Sequence, residues 1–179
     1  TSQFIWASEK DGFKHLYLYD NKGNLVKQLT KGDWVVDSVK AIDTKSQRLF
    51  FSGRKDTPLE SHVYSVPLTG GDIDRVTELG AYHSATFSKD ASIFIDRFST
   101  INSPPQVSLN DATGKRITWL EENRVEKGHP LYAYKESWTA PEFGEITTED
   151  GATLQYRLFK PESAIQHPQK KHPVIVYLY

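Results

Sequence analysis

Residues 48–77 read RLFFSGRKDTPLESHVYSVPLTGGDIDRVT, and this stretch decides the fold. Two runs rich in aromatic and β-branched residues, at 49–51 and 62–66, are separated by a charged loop that contains glycine and proline. The glycine pair at 70–71 then marks a turn before a last short run. Short runs of this composition between turn residues are typical of β-strands. The stretch therefore predicts antiparallel strands with tight connections.

The same order of runs occurs three times along the chain. The turn glycines of the three copies, Gly23, Gly71 and Gly114, lie 48 and 43 residues apart. The pairs of an aliphatic residue with threonine, at 29–30, 76–77 and 117–118, lie 47 and 41 residues apart. A further strand-like run opens with glycine and an aromatic residue between copies, at 32–39 and 80–90. Four short antiparallel strands per repeat of this length are typical of β-propeller blades, and an irregular β-sandwich is the alternative.

Composition excludes several classes of function. The chain has 22 Lys and Arg against 23 Asp and Glu, so a net charge of -1 gives no basic surface for nucleic acid. No apolar run is long enough to span a bilayer. The absence of cysteine excludes disulfides and thiolate metal sites. We expect no cofactor and no metal.

The chain has no methionine, and three blades do not close a propeller. We therefore expect a piece of a longer protein, with more blades before Thr1.

The repeat ends near Lys127, and the remaining sequence has a different pattern. Residues 146–148 and 153–159 flank Asp150-Gly151, which predicts a hairpin. The run from Val174 to Tyr179 is continuously apolar or aromatic, which is typical of a parallel strand buried on both faces. The expected fold is mainly β, with about three four-stranded antiparallel propeller blades followed by the start of an α/β domain.

Several segments together resemble the dipeptidyl peptidase IV family of the prolyl oligopeptidase superfamily. They are FIWASEKDGFKHLYLYD, QLTKGDWVV, GRKDTPLESHVYSV, HSATFSKDASIFIDRFS, FGEITTEDGATLQYRLFKP and HPVIVYLY, in collinear order. The resemblance implies that residues 1–135 are the C-terminal part of a propeller. It also implies that residues 136–179 are a connector and the beginning of an α/β-hydrolase domain.

For the parent protein, the resemblance implies a serine exopeptidase that removes N-terminal dipeptides with proline or alanine second. The Ser, Asp and His of its triad would lie beyond this chain, which contains no G-x-S-x-G motif and should be inactive alone. The expected partners are peptide substrates, and the parent is expected to be a periplasmic or secreted homodimer. Aligned on Pro173 and the apolar run, Tyr179 matches the family's tyrosine that donates a hydrogen bond to the oxyanion. A plain core tyrosine is the alternative.

Other candidate residues are interpreted as structural. His15, His62 and His83 follow the repeat, so convergence on one metal is not expected. Adjacent Glu121 and Glu122 are interpreted as a solvated turn rather than an amine anchor.

Trp6 and Trp34 are expected to pack between sheets. No binding residue is assigned in the charged loop at 54–60. Two functional alternatives remain: another enzyme of the superfamily, such as an acylaminoacyl peptidase or an oligopeptidase, and an inactive homologue that only binds partners.

Overall fold

The computed structural model describes residues 2–178, and short antiparallel strands dominate it. The chain divides into two compact units, Thr1–Arg124 and Val125–Tyr179. The strands of the first unit are β1 (Gln3–Ser8), β2 (His15–Asp20), β3 (Leu25–Gln28), β4 (Val36–Asp43), β5 (Arg48–Gly53), β6 (His62–Pro67), β7 (Asp74–Arg75), β8 (Tyr82–Phe87), β9 (Ile93–Thr100), β10 (Ser103–Asp111) and β11 (Arg116–Glu121).

These strands form three consecutive meander sheets. Sheet A has the order β1-β2-β3, sheet B the order β4-β5-β6-β7, and sheet C the order β8-β9-β10-β11. Every neighbouring pair is antiparallel. Neighbours in a sheet are also neighbours in sequence, so there is no Greek-key crossover among residues 2–124. The mainly β prediction with four-stranded antiparallel blades is confirmed, and the β-sandwich alternative is wrong.

One element of the predicted repeat is misplaced. The last residue of β3, Gln28, pairs with Tyr17 of β2, and the last residue of β7, Arg75, pairs with Tyr64 of β6. The corresponding pair in sheet C is Ser108 of β10 with Trp119 of β11. Ile117-Thr118 therefore lies inside β11 rather than after it. The sequence carries the signal, because Thr118 lies 4 residues after the turn glycine Gly114, whereas Thr30 lies 7 residues after Gly23.

The two faces of sheet B pack against its two neighbours. Leu49 and Phe51 join a buried cluster with Leu16 and Leu18 of sheet A. Phe50, which lies between them in β5, joins a second cluster with Phe94 of sheet C. Because side chains alternate across a strand, one uninterrupted apolar run supplies both interfaces. Face-to-face packing of successive sheets follows directly from RLFF at 48–51.

The two tryptophans behave differently. Trp34 packs on the cluster between sheets A and B, with its ring 6.2 Å from Phe51 and 5.0 Å from His15, as expected. Trp6 lies in the edge strand β1 and is 57% exposed, so its predicted position between sheets is wrong. In the described residues β1 has a neighbour on one side only, which leaves this edge uncovered.

At Gly114 a turn of sheet C lies directly against the backbone that follows β7 of sheet B. Its φ is +92°, and a Cβ there would lie 2.0 Å from the carbonyl oxygen of Val76. We expect Gly114→Ala to destabilise the fold by about 2–3 kcal/mol, through left-handed strain and a clash with backbone. Gly71→Ala is the matched control: φ is +130° but nothing lies within 4 Å, so it should cost strain alone. Equal shifts in denaturant midpoint would contradict this close approach.

The second unit contains a hairpin and two short helices. Strands β12 (Glu142–Thr147) and β13 (Thr153–Leu158) pair antiparallel, so the predicted hairpin around Asp150-Gly151 is confirmed. A 3-10 helix covers Tyr132–Ser137, and α1 covers Glu162–Gln166. Neither helix within residues 2–178 has the length and apolar character needed to cross a membrane.

The apolar run predicted as a buried strand is exposed where it is described. Residues 174–178 belong to no strand, and Ile175 is 97% exposed. A strand buried on both faces needs neighbouring strands and covering helices, and residues 125–178 supply no pairing partner for this run.

Candidate functional site

Tyr179, the predicted oxyanion-hole donor, lies outside the described residues. Its catalytic role therefore stays a prediction.

Glu121 is the last residue of β11, Glu122 follows it directly, and both carboxylates make local contacts. Glu121 accepts a hydrogen bond from the backbone N–H of Asn123 at 2.8 Å, and Glu122 pairs with Arg124 at 2.6 Å. Glu121 is exposed and Glu122 is half-buried, and these contacts lie within two residues in sequence, but no turn forms at these two positions, so the predicted turn is wrong.

His15 and His62 make the same contact in sheets A and B. Nδ1 of His15 lies 3.0 Å from Thr30 Oγ1, and Nδ1 of His62 lies 3.1 Å from Thr77 Oγ1. Each threonine oxygen also accepts the backbone N–H of the residue after the histidine, at 2.9 Å and 3.1 Å. Nε2 of each ring has its own acceptor, which is the Gly32 carbonyl for His15 and Glu60 for His62. A neutral ring protonated on Nε2 satisfies every one of these groups.

A tyrosine and an aspartate repeat beside each histidine. Tyr17 donates to Asp11 at 2.7 Å, and Tyr64 donates to Asp56 at 2.9 Å. Burial and, after it, the hydrogen bond to Asp11 raise the pKa of Tyr17 to about 12. Burial opposes ionisation of Asp56, but hydrogen bonds from Tyr64 and Arg75 outweigh it and lower the pKa of Asp56. The loops that precede β2 and β6 are therefore each tied to the following strand by a hydrogen bond from tyrosine to an aspartate.

The shared threonine gives a direct test of the histidine contact. Thr77→Val removes the partner of both His62 Nδ1 and the Val63 N–H at nearly constant volume, so we expect a loss of about 2 kcal/mol in the free energy of unfolding. Thr118→Val is the matched control, because Thr118 is exposed and its hydroxyl bonds only the adjacent Trp119 carbonyl. Urea melts measure both changes, and similar losses in the two variants would refute the structural role of Thr77.

His83 has a different environment in sheet C. Its Nδ1 lies 2.7 Å from Asp96 Oδ2, and its Nε2 lies 2.9 Å from the Glu78 carbonyl oxygen. A carbonyl only accepts, so Nε2 must carry a proton, and a second proton must lie between Nδ1 and Asp96. The pair is therefore neutral as a whole, either as imidazolium with carboxylate or as imidazole with carboxylic acid. Both side chains are buried, and Asp96 Oδ1 has no hydrogen-bond partner among the described residues.

A cavity of about 100 Å³ lies beside this pair. His83, Asp96, Thr77, Ser108, Asn110 and Arg116 contribute to its polar lining. Ser108 and Asn110 bond each other through their side chains at 3.0 Å, so this serine is not paired with the histidine. Arg116 lies over the Trp119 ring at 4.1 Å. The arrangement offers a buried proton-sharing pair and polar groups, but no activated nucleophile.

Sequence reasoning missed the pairing of His83 with Asp96. The signal was Asp96 itself, an acidic residue at an inward position of the apolar run IFIDRF. A buried carboxyl group needs a partner, so a histidine in the adjacent strand was the residue to look for.

The charged loop at 54–60 is held by its own contacts. Arg54 donates to the Pro58 carbonyl at 3.1 Å and lies 5.8 Å from the Tyr82 ring centre. Among residues 2–178, no three histidine, aspartate or glutamate side chains are grouped so that they could hold a metal ion.

Three successive meander sheets that pack face to face define the class of structure: this part of the chain is a segment of a β-propeller. A family model described as "Dipeptidyl peptidase IV (DPP IV) N-terminal region" matches residues 1–105. The chain belongs to the dipeptidyl peptidase IV family.

Individual relatives extend the match beyond the first unit. Dipeptidyl peptidase 8 of Homo sapiens is 32% identical over 99% of this chain and 23% of its own length. Probable dipeptidyl-aminopeptidase B of Aspergillus fumigatus is 32% identical over 94% of this chain and 18% of its own length. The crystal structure of Porphyromonas gingivalis dipeptidyl peptidase 4 matches with a TM-score of 0.78 and 28% identity, over 90% of this chain and 22% of that chain. The chain spans less than a quarter of the length of these relatives.

Proposed function

We propose that the parent protein is a serine exopeptidase that removes N-terminal dipeptides, with proline or alanine as the second residue, from peptides. The observation that carries the proposal is the collinear match to dipeptidyl peptidases over 94–99% of the chain, which includes both compact units. A shared β-propeller alone would not support it, because propellers serve many unrelated functions.

In this proposal the two parts of the chain have different tasks. Residues 1–135 are the C-terminal part of a propeller that gates and orients peptides. Residues 136–179 are the connector and the first strands of the hydrolase domain, and Tyr179 is one oxyanion donor. The hydrogen-bonded contacts around His15, His62 and His83 are structural elements of the propeller, since none of them contains an activated nucleophile.

Covalent labelling tests two parts of the proposal together: that the parent protein has an activated serine, and that this serine lies outside residues 1–179. A fluorophosphonate probe reacts with a serine that is activated by a neighbouring base. We expect the full-length protein to be labelled at a serine outside residues 1–179, and residues 1–179 alone to remain unlabelled. Labelling of a serine within this chain would overturn the proposal. Absence of labelling in an otherwise folded full-length protein would favour the inactive homologue.

A further inference from the structure

The joint between sheets B and C is built from two histidines that face each other. His62 in β6 and His83 in β8 have ring centres 5.4 Å apart and an angle of 38° between ring planes. Both rings are at least 95% buried. On its other side His83 stacks on Phe98, with 5.2 Å between ring centres, so its ring lies between those of His62 and Phe98.

Two hydrogen bonds connect the same region across the joint. The backbone N–H of His83 donates to the Ser61 carbonyl at 2.8 Å. Glu60 accepts from His62 Nε2 at 2.8 Å and from the backbone N–H of Gly80 at 3.0 Å. The imidazole of His62 is therefore one member of a short network that joins β6 to the segment entering sheet C.

The joint between sheets A and B is a natural comparison. There the backbone N–H of Val36 donates to the Lys14 carbonyl at 2.9 Å, which is the same contact one repeat earlier. His15 occupies the position of His62, but the ring it meets is Trp34, in an edge-on contact at 5.0 Å. The first joint thus has one histidine where the second has two.

We propose that the joint between sheets B and C is an acid-sensitive contact: protonation of His62 opposite His83 weakens this joint selectively, while the joint between sheets A and B keeps its strength. Protonation places a second proton on a buried ring whose Nδ1 accepts from Thr77, so the threonine hydroxyl loses its acceptor. It also places positive charge against His83, which already shares a proton with Asp96.

The surrounding charges do not remove this effect. Glu60 faces His62 from the preceding loop, and Arg75 faces it from β7. From sheet C the ring of His83 faces His62, and His83 in turn contacts Asp96 through Nδ1 and the Glu78 backbone carbonyl through Nε2. Within residues 2–178, Glu60 is the one anion in direct contact with His62, and it also accepts from the backbone N–H of Gly80.

The balance of these contacts fixes the sign of the pH dependence. Burial lowers the pKa of His62 below its usual 6.5, Glu60 partly opposes this, and the charge on His83 lowers the pKa further. An open joint hydrates the ring and returns it toward 6.5, so below that pH the open form binds more protons than the closed form. The free energy of closing therefore falls as pH falls from 6.5 toward the lowered pKa, and is fully present above 6.5. His83, Asp96, Thr77 and Glu78 also line the cavity described above, so opening the joint widens it.

Residue-level hydrogen exchange on the full-length protein tests the proposal, because each joint has its own reporter amide. The amide of His83 reports on the joint between sheets B and C, and the amide of Val36 reports on the joint between sheets A and B. After correction for the intrinsic exchange rate, we expect protection of the His83 amide to fall several-fold between neutral pH and pH ~5, and that of Val36 to change much less. Parallel loss at both amides would overturn the proposal.

A pair of matched variants assigns the effect to one ring. His62→Gln should make protection of the His83 amide nearly independent of pH over this range, whereas His15→Gln should leave its pH dependence intact. A pH dependence that persists in His62→Gln would refute the role of His62. If His62→Gln does not fold, the wild-type comparison of the His83 and Val36 amides still tests whether only the joint between sheets B and C is acid-sensitive. His83→Gln, which removes the facing ring, should reduce the pH dependence.

Discussion

Tyr179→Phe in the full-length protein is expected to lower kcat for an Xaa-Pro chromogenic substrate by on the order of 10²–10³. The substitution removes one hydroxyl and almost no volume, so folding should be nearly unaffected. If the hydroxyl donates to the oxyanion, its loss costs roughly 3–4 kcal/mol in the transition state. KM should move little, because this hydrogen bond strengthens mainly as negative charge develops on the substrate oxygen.

The matched control is Tyr177→Phe, the same chemical change two residues earlier, for which we expect an unchanged kcat. Thermal melts of both variants show whether either change acts through stability. An unchanged kcat in a well-folded Tyr179→Phe enzyme would show that Tyr179 is a core tyrosine without a catalytic role.

Phe51→Ala is expected to cost about 3–5 kcal/mol in the free energy of unfolding. Phe51 is fully buried, and its ring stacks on Tyr64 and Trp34 at 5.6 Å and 6.2 Å between sheets A and B. Truncation removes this contact surface and leaves a cavity that neighbouring strands cannot collapse to fill. A loss of this size is a large part of the stability of a typical domain.

Phe4→Ala provides the comparison within the same compact unit. Phe4 lies in the edge strand β1 and is 45% exposed, so its truncation should cost about 1 kcal/mol or less. Denaturant titration of the two variants measures the difference. Similar midpoints would mean that the packing between sheets A and B is not the main stabilising interface of this unit.

Sequence was sufficient for the elements whose pattern is local. The aromatic and aliphatic run at 49–51 predicts a β-strand, and β5 forms there and supplies apolar side chains to both neighbouring sheets. Asp150-Gly151 between two β-rich runs predicts a hairpin, and β12 and β13 form it. Both predictions need only the alternation of side chains and the preference of a turn for glycine.

The details that escaped prediction depend on contacts between distant residues. The pairing of His83 with Asp96 joins two adjacent strands, and the ring of His62 meets His83 across two sheets. Repeat spacing correctly indicated that these histidines are structural, but it could not show which of them face each other.

The exposed run at 174–178 shows a different limit. Its composition is that of a strand buried on both faces, and burial of a strand requires partners that composition cannot supply. In the described residues the run has no strand partner. The local pattern thus indicates the environment for which a segment is suited, while pairing decides whether the segment forms a strand.

The most direct measurement is mass spectrometry of the products that the full-length protein forms from an unblocked peptide with proline as its second residue. If the parent protein is a dipeptidyl peptidase, the first product is the N-terminal dipeptide and the remaining peptide begins at the third residue. The N-acetylated form of the same peptide stays intact. Release of an acetylated residue, a cut inside the peptide, or no cleavage at all by a folded protein would contradict it.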